Sequence, residues 1–152
     1  MSRVLVLACG NTLRGDDGVA PYIAKRLRSE LSDPETEIRS DQQWAPELAE
    51  LISQSEVVIF VDASASLPPG EIACQTLKAS RGSAASLTHQ TSPAVLLALA
   101  GELYGKYPAR AFLLTIGGSS FELTEKLSEP VRVVVPEAIE RIKEILLGKE
   151  RP

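Results

Sequence analysis

Three side chains in this sequence could together hold a divalent metal ion: Asp17, Asp62 and His89. Asp17 follows a glycine-containing turn and has a second acid, Asp16, beside it. Asp62 directly follows the apolar run 57–61. Two carboxylates and one imidazole leave coordination positions open, which suits a borderline divalent cation better than Ca²⁺ or Mg²⁺. These residues indicate a metal-dependent site that holds its ion weakly.

Each residue also has a purely structural explanation. Asp16 and Asp17 could complement the dipole of a following helix. Asp62 could form a turn, and a lone histidine near a helix start could be structural. The expected convergence of three potential ligands favours the metal site over three separate structural roles.

The surrounding elements predict an α/β domain. The runs 3–9 and 57–61 are continuously apolar, as strands buried on both faces are. Weaker strand patterns and helical periodicities complete the chain: strands at 37–40, 71–77 and 110–116, and helices at 19–31, 45–53, 93–104 and 136–147. Strands that alternate with helices predict a single domain over residues 1–152, with a twisted, mostly parallel sheet between two helical layers.

This arrangement would bring the candidate residues to one place. If the strands 3–9 and 57–61 are parallel neighbours, Asp17 and Asp62 lie at the same carboxyl edge of the sheet, where ligand sites of such folds gather. His89 shortly precedes a helix that starts at Pro93, so we expect it at the same edge.

Composition excludes several classes of protein. The net charge is −4, the pI is about 5.1, and Lys and Arg are scattered, which argues against nucleic-acid binding. No apolar run has the length of a membrane span, and no signal-peptide pattern is present, so we expect a cytoplasmic protein without membrane contact. Cys9 and Cys74 are expected to be buried free thiols.

Other catalytic motifs fit poorly. Gly10 and Gly15 have the spacing of a phosphate loop, but acids replace the Lys-Ser/Thr pair, so a nucleotide-binding domain is a weak alternative. There is no GxSxG nucleophile elbow. Cys9 with His89 as base is a further minor alternative, because Cys9 ends a buried strand.

The stretch 10–18, GNTLRGDDG, resembles the GNxLxxD(D/E)GxG signature of the nickel–iron hydrogenase maturation endopeptidases. The run 57–63, Pro69-Gly70, and His89 before Ser92-Pro93 follow in the same order as in that family. The resemblance spans residues 4–128. A further set, Gln43 with 46–50, resembles the subgroup that serves bidirectional, NAD(P)-linked hydrogenases.

The resemblance implies an endopeptidase that removes the C-terminal extension of a hydrogenase large-subunit precursor after nickel insertion. It places the metal-binding and catalytic roles on Asp17, Asp62 and His89. The implied cofactor is nickel, supplied by the precursor, although another divalent cation could occupy the site in the isolated protein. The protein partner is the precursor, and we expect a monomer. The implied fold is a five-stranded sheet with a helical tail, so 131–135 should lead into a helix despite its strand propensity.

Several alternatives stay open within this resemblance. The metal could activate the peptide bond, or it could only position the bond while the carboxylates do acid–base work. The protein could also be a non-catalytic chaperone that docks on the precursor and checks its metal. Departures from the family are Asp17, where many members have glutamate, Ala20 in place of glycine, and the sequence at 121–124. The segments 40–47 and 78–86 are predicted precursor contacts.

Overall fold

A computed structural model describes residues 3–79 and 91–148. These residues form one five-stranded sheet with the strand order β2-β1-β3-β5-β4. The strands are β1 (Val4–Cys9), β2 (Thr36–Asp41), β3 (Val57–Ser64), β4 (Ile72–Thr76) and β5 (Arg110–Gly117). All neighbours pair in parallel except β4 and β5, which are antiparallel. The predicted α/β class with a mostly parallel sheet is confirmed.

Helices cover both faces of the sheet. A 3₁₀ turn, Gly15–Gly18, leads into the first of them, and the described helices are α1 (Val19–Glu30), α2 (Leu48–Ser53), α3 (Pro93–Tyr104), α4 (Glu129–Arg132) and α5 (Val135–Leu146). On one face α1, α4 and α5 share an apolar core with the sheet, and on the other α2 and α3 do so. Alternate residues of β1 and β3 enter the two cores, which is why both strands are apolar without interruption.

The two central strands are neighbours, as predicted. β1 and β3 pair in parallel, with Ala8 opposite Val61. The prediction that β3 ends before Asp62 is wrong, because β3 continues through Ser64. Its last residues pair with β5, where Asp62 lies opposite Thr115. Asp62 is thus held by sheet hydrogen bonding, which fixes the direction of its side chain.

The segment 131–135 leads into a helix, as the resemblance implied: it comprises the end of α4, a turn at 133–134 and the first residue of α5. Val131 and Val135 lie four residues apart and both are buried in the core beneath α1. In a strand, Val131 and Val135 would also lie on one face, because an even number of residues separates them. Such a strand would, however, displace the helical layer that covers this face of the sheet. Tertiary packing therefore overrides the β-propensity of the valines.

Other boundaries differ slightly from the predictions. The helix predicted from Ala45 starts at Leu48, because residues 45–47 form a turn in which Leu48 N–H donates to the Ala45 carbonyl. Both cysteines are free thiols, but only Cys9 is buried and Cys74 is half-buried. Among the residues that the structure describes, no helix has the length and apolar character needed to span a membrane.

Candidate functional site at the carboxyl edge of the sheet

The loop after β1 turns the chain back on itself and presents Asp17. Asn11 directs this turn, because its side-chain oxygen accepts a hydrogen bond from Leu13 N–H at 2.9 Å. The Asn11 backbone N–H then donates to Oδ2 of Asp17 at 2.7 Å. One carboxylate oxygen of Asp17 is therefore held by the loop. The loop itself is joined to β2, since Gly10 N–H donates to the Asp41 carbonyl.

Gly10 permits this geometry because of its missing side chain. A Cβ atom built on Gly10 would overlap the carbonyl oxygen of Asp17 and would also touch the Pro21 ring. The backbone of the loop after β1 is thus packed directly against the start of the 3₁₀ turn. The position of Asp17 depends on this close contact.

Gly10→Ala is expected to destabilise the protein and to displace Asp17. Overpacking at such a contact costs about 1–3 kcal/mol of the free energy of unfolding, and cleavage of the precursor proposed below should fall as well. Urea denaturation and a cleavage assay measure the two effects. Gly105→Ala is the control: its φ of 70° is unfavourable for alanine, but no atom lies near its Cβ. It should lose about 1–2 kcal/mol yet keep cleavage, and equal cleavage by both variants would contradict the prediction.

Asp16 is fully buried and makes long-range contacts. Its Oδ2 accepts hydrogen bonds from the backbone N–H groups of Ser119 and Ser120 at 2.7 and 3.0 Å. The Ser128 hydroxyl also donates to Oδ2, and Ser128 N–H donates to Oδ1, each at 2.7 Å. Asp16 therefore joins the loop after β1 to the segment between β5 and α4, rather than only holding its own turn or the helix start.

Two further backbone contacts strengthen this junction. Gly15 N–H donates to the Thr124 carbonyl at 2.8 Å, and Asp16 N–H donates to the Ser120 carbonyl at 2.9 Å. Burial raises the pKa of the Asp16 carboxyl, but the hydrogen bonds from Ser128, Ser120 and Ser119 outweigh this effect, and the net pKa lies below its ordinary value of 3.8. Asp16 is therefore a charged structural residue, and Asp17 stays the predicted metal ligand of the pair.

Asp62 lies on the face of β3 that α2 and α3 cover, because it is two residues from Phe60, which belongs to that core. The Ala63 backbone N–H donates to Oδ1 of Asp62 at 2.8 Å. The Trp44 side chain also acts on this carboxyl as a hydrogen-bond donor and lowers its pKa. Burial raises the pKa of Asp62 to about 6, and the negative charge of Asp17 adds to this rise against both hydrogen bonds.

Asp17 and Asp62 are thus brought together as predicted, and their edge of the sheet is strongly acidic. Burial raises the pKa of the Cys9 thiol to about 12, with contributions from the charges of Asp62 and Asp17. Asp41 at the end of β2 contributes as well. A thiol with such a pKa is protonated at neutral pH, which disfavours Cys9 as a nucleophile.

The site lacks a balancing cation within the described residues. Within residues 3–79 and 91–148, neither Asp17 nor Asp62 forms an ion pair with a lysine or arginine. The same residues contain no cluster of three metal-ligating side chains. His89, the third predicted ligand, lies outside the described residues, so the triad stays a prediction.

Trp44 is the residue that the sequence did not indicate. It lies in the segment 40–47, which was predicted only as an exposed precursor contact. Its side chain is half-buried, packs against Phe60 and lowers the pKa of the nearby Asp62 carboxyl. One sequence signal could have indicated Trp44. It is an aromatic residue with an N–H donor, and it follows the strand β2, which ends at the acidic edge.

The chain is similar to solved structures of hydrogenase maturation peptidases. HybD, a hydrogenase maturating endopeptidase from E. coli, has a TM-score of 0.78 and 23% identity, covering 96% of this chain and 93% of its own. A hydrogenase 2 maturation peptidase from a Thaumarchaeota archaeon has a TM-score of 0.75 and 27% identity, with coverage of 98% and 100%. HycI, a [NiFe] hydrogenase maturation protease from Thermococcus kodakarensis, has a TM-score of 0.75 and 26% identity, with coverage of 96% and 93%.

No family model matches the chain, and no curated protein matches it. The similarity to the solved structures nevertheless extends over nearly the whole chain in each case. The resemblance to the nickel–iron hydrogenase maturation endopeptidases is confirmed, and the fold is the one these peptidases have. The subgroup that serves bidirectional hydrogenases stays a prediction.

Proposed function

We propose that this protein is an endopeptidase that removes the C-terminal extension of a nickel–iron hydrogenase large-subunit precursor after nickel insertion. In this proposal Asp17, Asp62 and His89 engage nickel that the precursor already carries. The supporting observation is the pair of carboxylates at one sheet edge, without a cationic partner among the described residues, in a chain with the fold of hydrogenase maturation peptidases. The free thiols favour a reducing compartment, so we propose that it acts in the cytoplasm.

The charge of the site supports a substrate cation. Two carboxylates that repel each other gain stabilisation when a divalent ion lies between them, and the gain is larger where burial lowers the effective dielectric constant. Asp17 lies in the turn after β1 and Asp62 lies in β3, and each has one oxygen held by a backbone N–H. The second oxygen of Asp17 receives no hydrogen bond from the described residues, so it can serve as a ligand.

The topology supports the inclusion of His89. Helix α3 is capped by the Ser92 hydroxyl, which accepts a hydrogen bond from Val95 N–H at 3.3 Å. The helix ends at Tyr104, shortly before β5 begins at Arg110, so α3 runs from the carboxyl edge toward the amino edge. Three residues of chain reach about 10 Å at most. The proposal therefore assigns His89, three residues before Ser92 in the sequence, as the third ligand.

The proposed reaction is hydrolysis of one peptide bond. Water adds to the scissile carbonyl carbon, the C–N bond breaks, and the leaving amine takes up a proton. The nickel can polarise the carbonyl or activate the water, or it can hold the bond in place while Asp17 or Asp62 transfers protons. Under both mechanisms, cleavage requires a precursor that contains nickel.

The test is a cleavage assay with purified nickel-loaded and nickel-free precursors, read by intact mass of the large subunit. We expect shortening of the nickel-loaded form alone. Binding without shortening would replace the endopeptidase with the metal-checking chaperone. Equal shortening of both forms would end the proposal that the enzyme recognises nickel.

Exchange of segment 40–47 for that of a relative should also change the preferred precursor, because this segment reaches Asp62 through Trp44.

A further inference from the structure

Trp44 has a fixed position beside the acidic edge. Its ring stands edge-on to the Phe60 ring, with 5.5 Å between the ring centroids and 78° between the planes. Edge-to-face contacts of this kind contribute about 0.5–1.5 kcal/mol beyond the buried area. Phe60 is fully buried in the core formed with α2 and α3. The indole is therefore anchored on a rigid part of the sheet, although it belongs to a connecting segment.

This anchoring keeps the indole beside Asp62. Phe60 and Asp62 are two residues apart on β3, so their side chains project from the same face of the sheet. The Trp44 ring packs on the first of them, and its side chain is near enough to the second to lower the pKa of the Asp62 carboxyl as a hydrogen-bond donor. The Ala63 N–H holds Oδ1 of the same carboxylate at 2.8 Å. The Ala63 N–H and the Trp44 side chain thus act on one carboxylate from different parts of the chain.

We propose that Trp44 is a positioning residue that orients the Asp62 carboxylate toward the substrate metal through its indole N–H. This inference rests on the proposed function and adds a residue to it. An indole N–H can only donate, so it requires an acceptor oxygen and thereby fixes the carboxylate rotamer. Carboxylates that bind metals are commonly oriented by such outer hydrogen bonds, and their loss costs about 10–100-fold in metal affinity or activity.

Trp44→Phe separates the hydrogen bond from the packing, because phenylalanine keeps an aromatic ring against Phe60 but has no N–H. For the nickel-loaded precursor we expect kcat to fall about 10–100-fold, while KM changes by less than about threefold. Trp44→Leu should lose the same factor in kcat and also unfold at lower urea concentration. Tyr104→Phe is the control. Tyr104 is the last residue of α3, at the end of the helix away from the carboxyl edge of the sheet, so this variant should keep the kcat of the wild type.

A second readout does not require cleavage. The chain contains one tryptophan, so a ¹⁵N-labelled sample gives one indole N–H resonance. Ni²⁺ alone should broaden this resonance in the wild type, and Asp62→Leu should shift it and accelerate its exchange with D₂O. Calorimetric titration with Ni²⁺ should show about 10–100-fold weaker binding to Trp44→Phe than to the wild type.

The outcomes distinguish this inference from the proposed function. If the wild type cleaves the precursor and Trp44→Phe keeps its kcat, the positioning role is wrong while the function stands. If the wild type does not cleave, the function is wrong, and the Ni²⁺ affinities decide the inference. A weaker affinity in Trp44→Phe supports it, and an unchanged affinity overturns it.

Discussion

Asp17→Asn and Asp62→Asn are each expected to reduce cleavage of the nickel-loaded precursor by at least about 100-fold, more than the loss of an outer hydrogen bond would. Asparagine has nearly the same shape, and its side-chain oxygen can still accept the bonds that Asn11 N–H and Ala63 N–H donate. The substitutions therefore remove mainly the negative charge. His89→Ala should have a similar effect, and the measurement is the single-turnover rate by intact mass.

The matched control for these variants is Asp33→Asn. Asp33 lies between α1 and β2, at the opposite edge of the sheet, and its side chain accepts bonds from Glu35 N–H and the Thr36 hydroxyl. The same loss of charge there should leave the cleavage rate unchanged. Wild-type rates in all three variants of the triad would end the metal-ligand assignment. A tightly bound, stoichiometric metal in the isolated protein would instead end the proposal that nickel arrives with the precursor.

The central part of this fold could be predicted because its physical cause is local in the sequence. A strand that is buried on both faces must be apolar at every position, and β1 and β3 show this pattern. Two such strands are expected at the centre of a parallel sheet, which places the acids that follow them at one edge. Asp17 and Asp62 could therefore be paired without knowledge of any contact between them.

The supporting contacts could not be predicted, because they depend on residues far apart in the chain. Asp16 and Ser128 are separated by 112 positions, and nothing in the local pattern of either indicates the other. From sequence, Trp44 has the character of an exposed residue in a connecting segment, because its neighbours Phe60 and Asp62 are distant in the chain. The same holds for 131–135, where local propensity favours a strand, but burial against α1 favours the observed end of α4, turn and start of α5.

Asp16→Asn is expected to lower the free energy of unfolding by about 2–4 kcal/mol. The Asp16 carboxylate is fully buried and accepts four hydrogen bonds, three at Oδ2 and one at Oδ1. Asparagine has one acceptor oxygen, so its NH₂ group must face either the single N–H donor at the Oδ1 position or the three donors at the Oδ2 position. The urea midpoint should fall with an unchanged m-value. Ser128→Ala, which removes only one hydroxyl donor, should lose about 1 kcal/mol.

The difference between Asp16→Asn and the wild type should also depend on pH in a defined direction. The folded-state pKa of Asp16 is lowered, so its contribution to stability is fully present above the ordinary carboxyl value of 3.8 and is lost as the pH falls through the folded-state value. Asparagine does not titrate. The stability gap should therefore be constant from neutral pH down to about pH 4 and then narrow. A gap that widens in acid would show that Asp16 is protonated in the folded protein, and that neutral hydrogen bonds hold the two loops together.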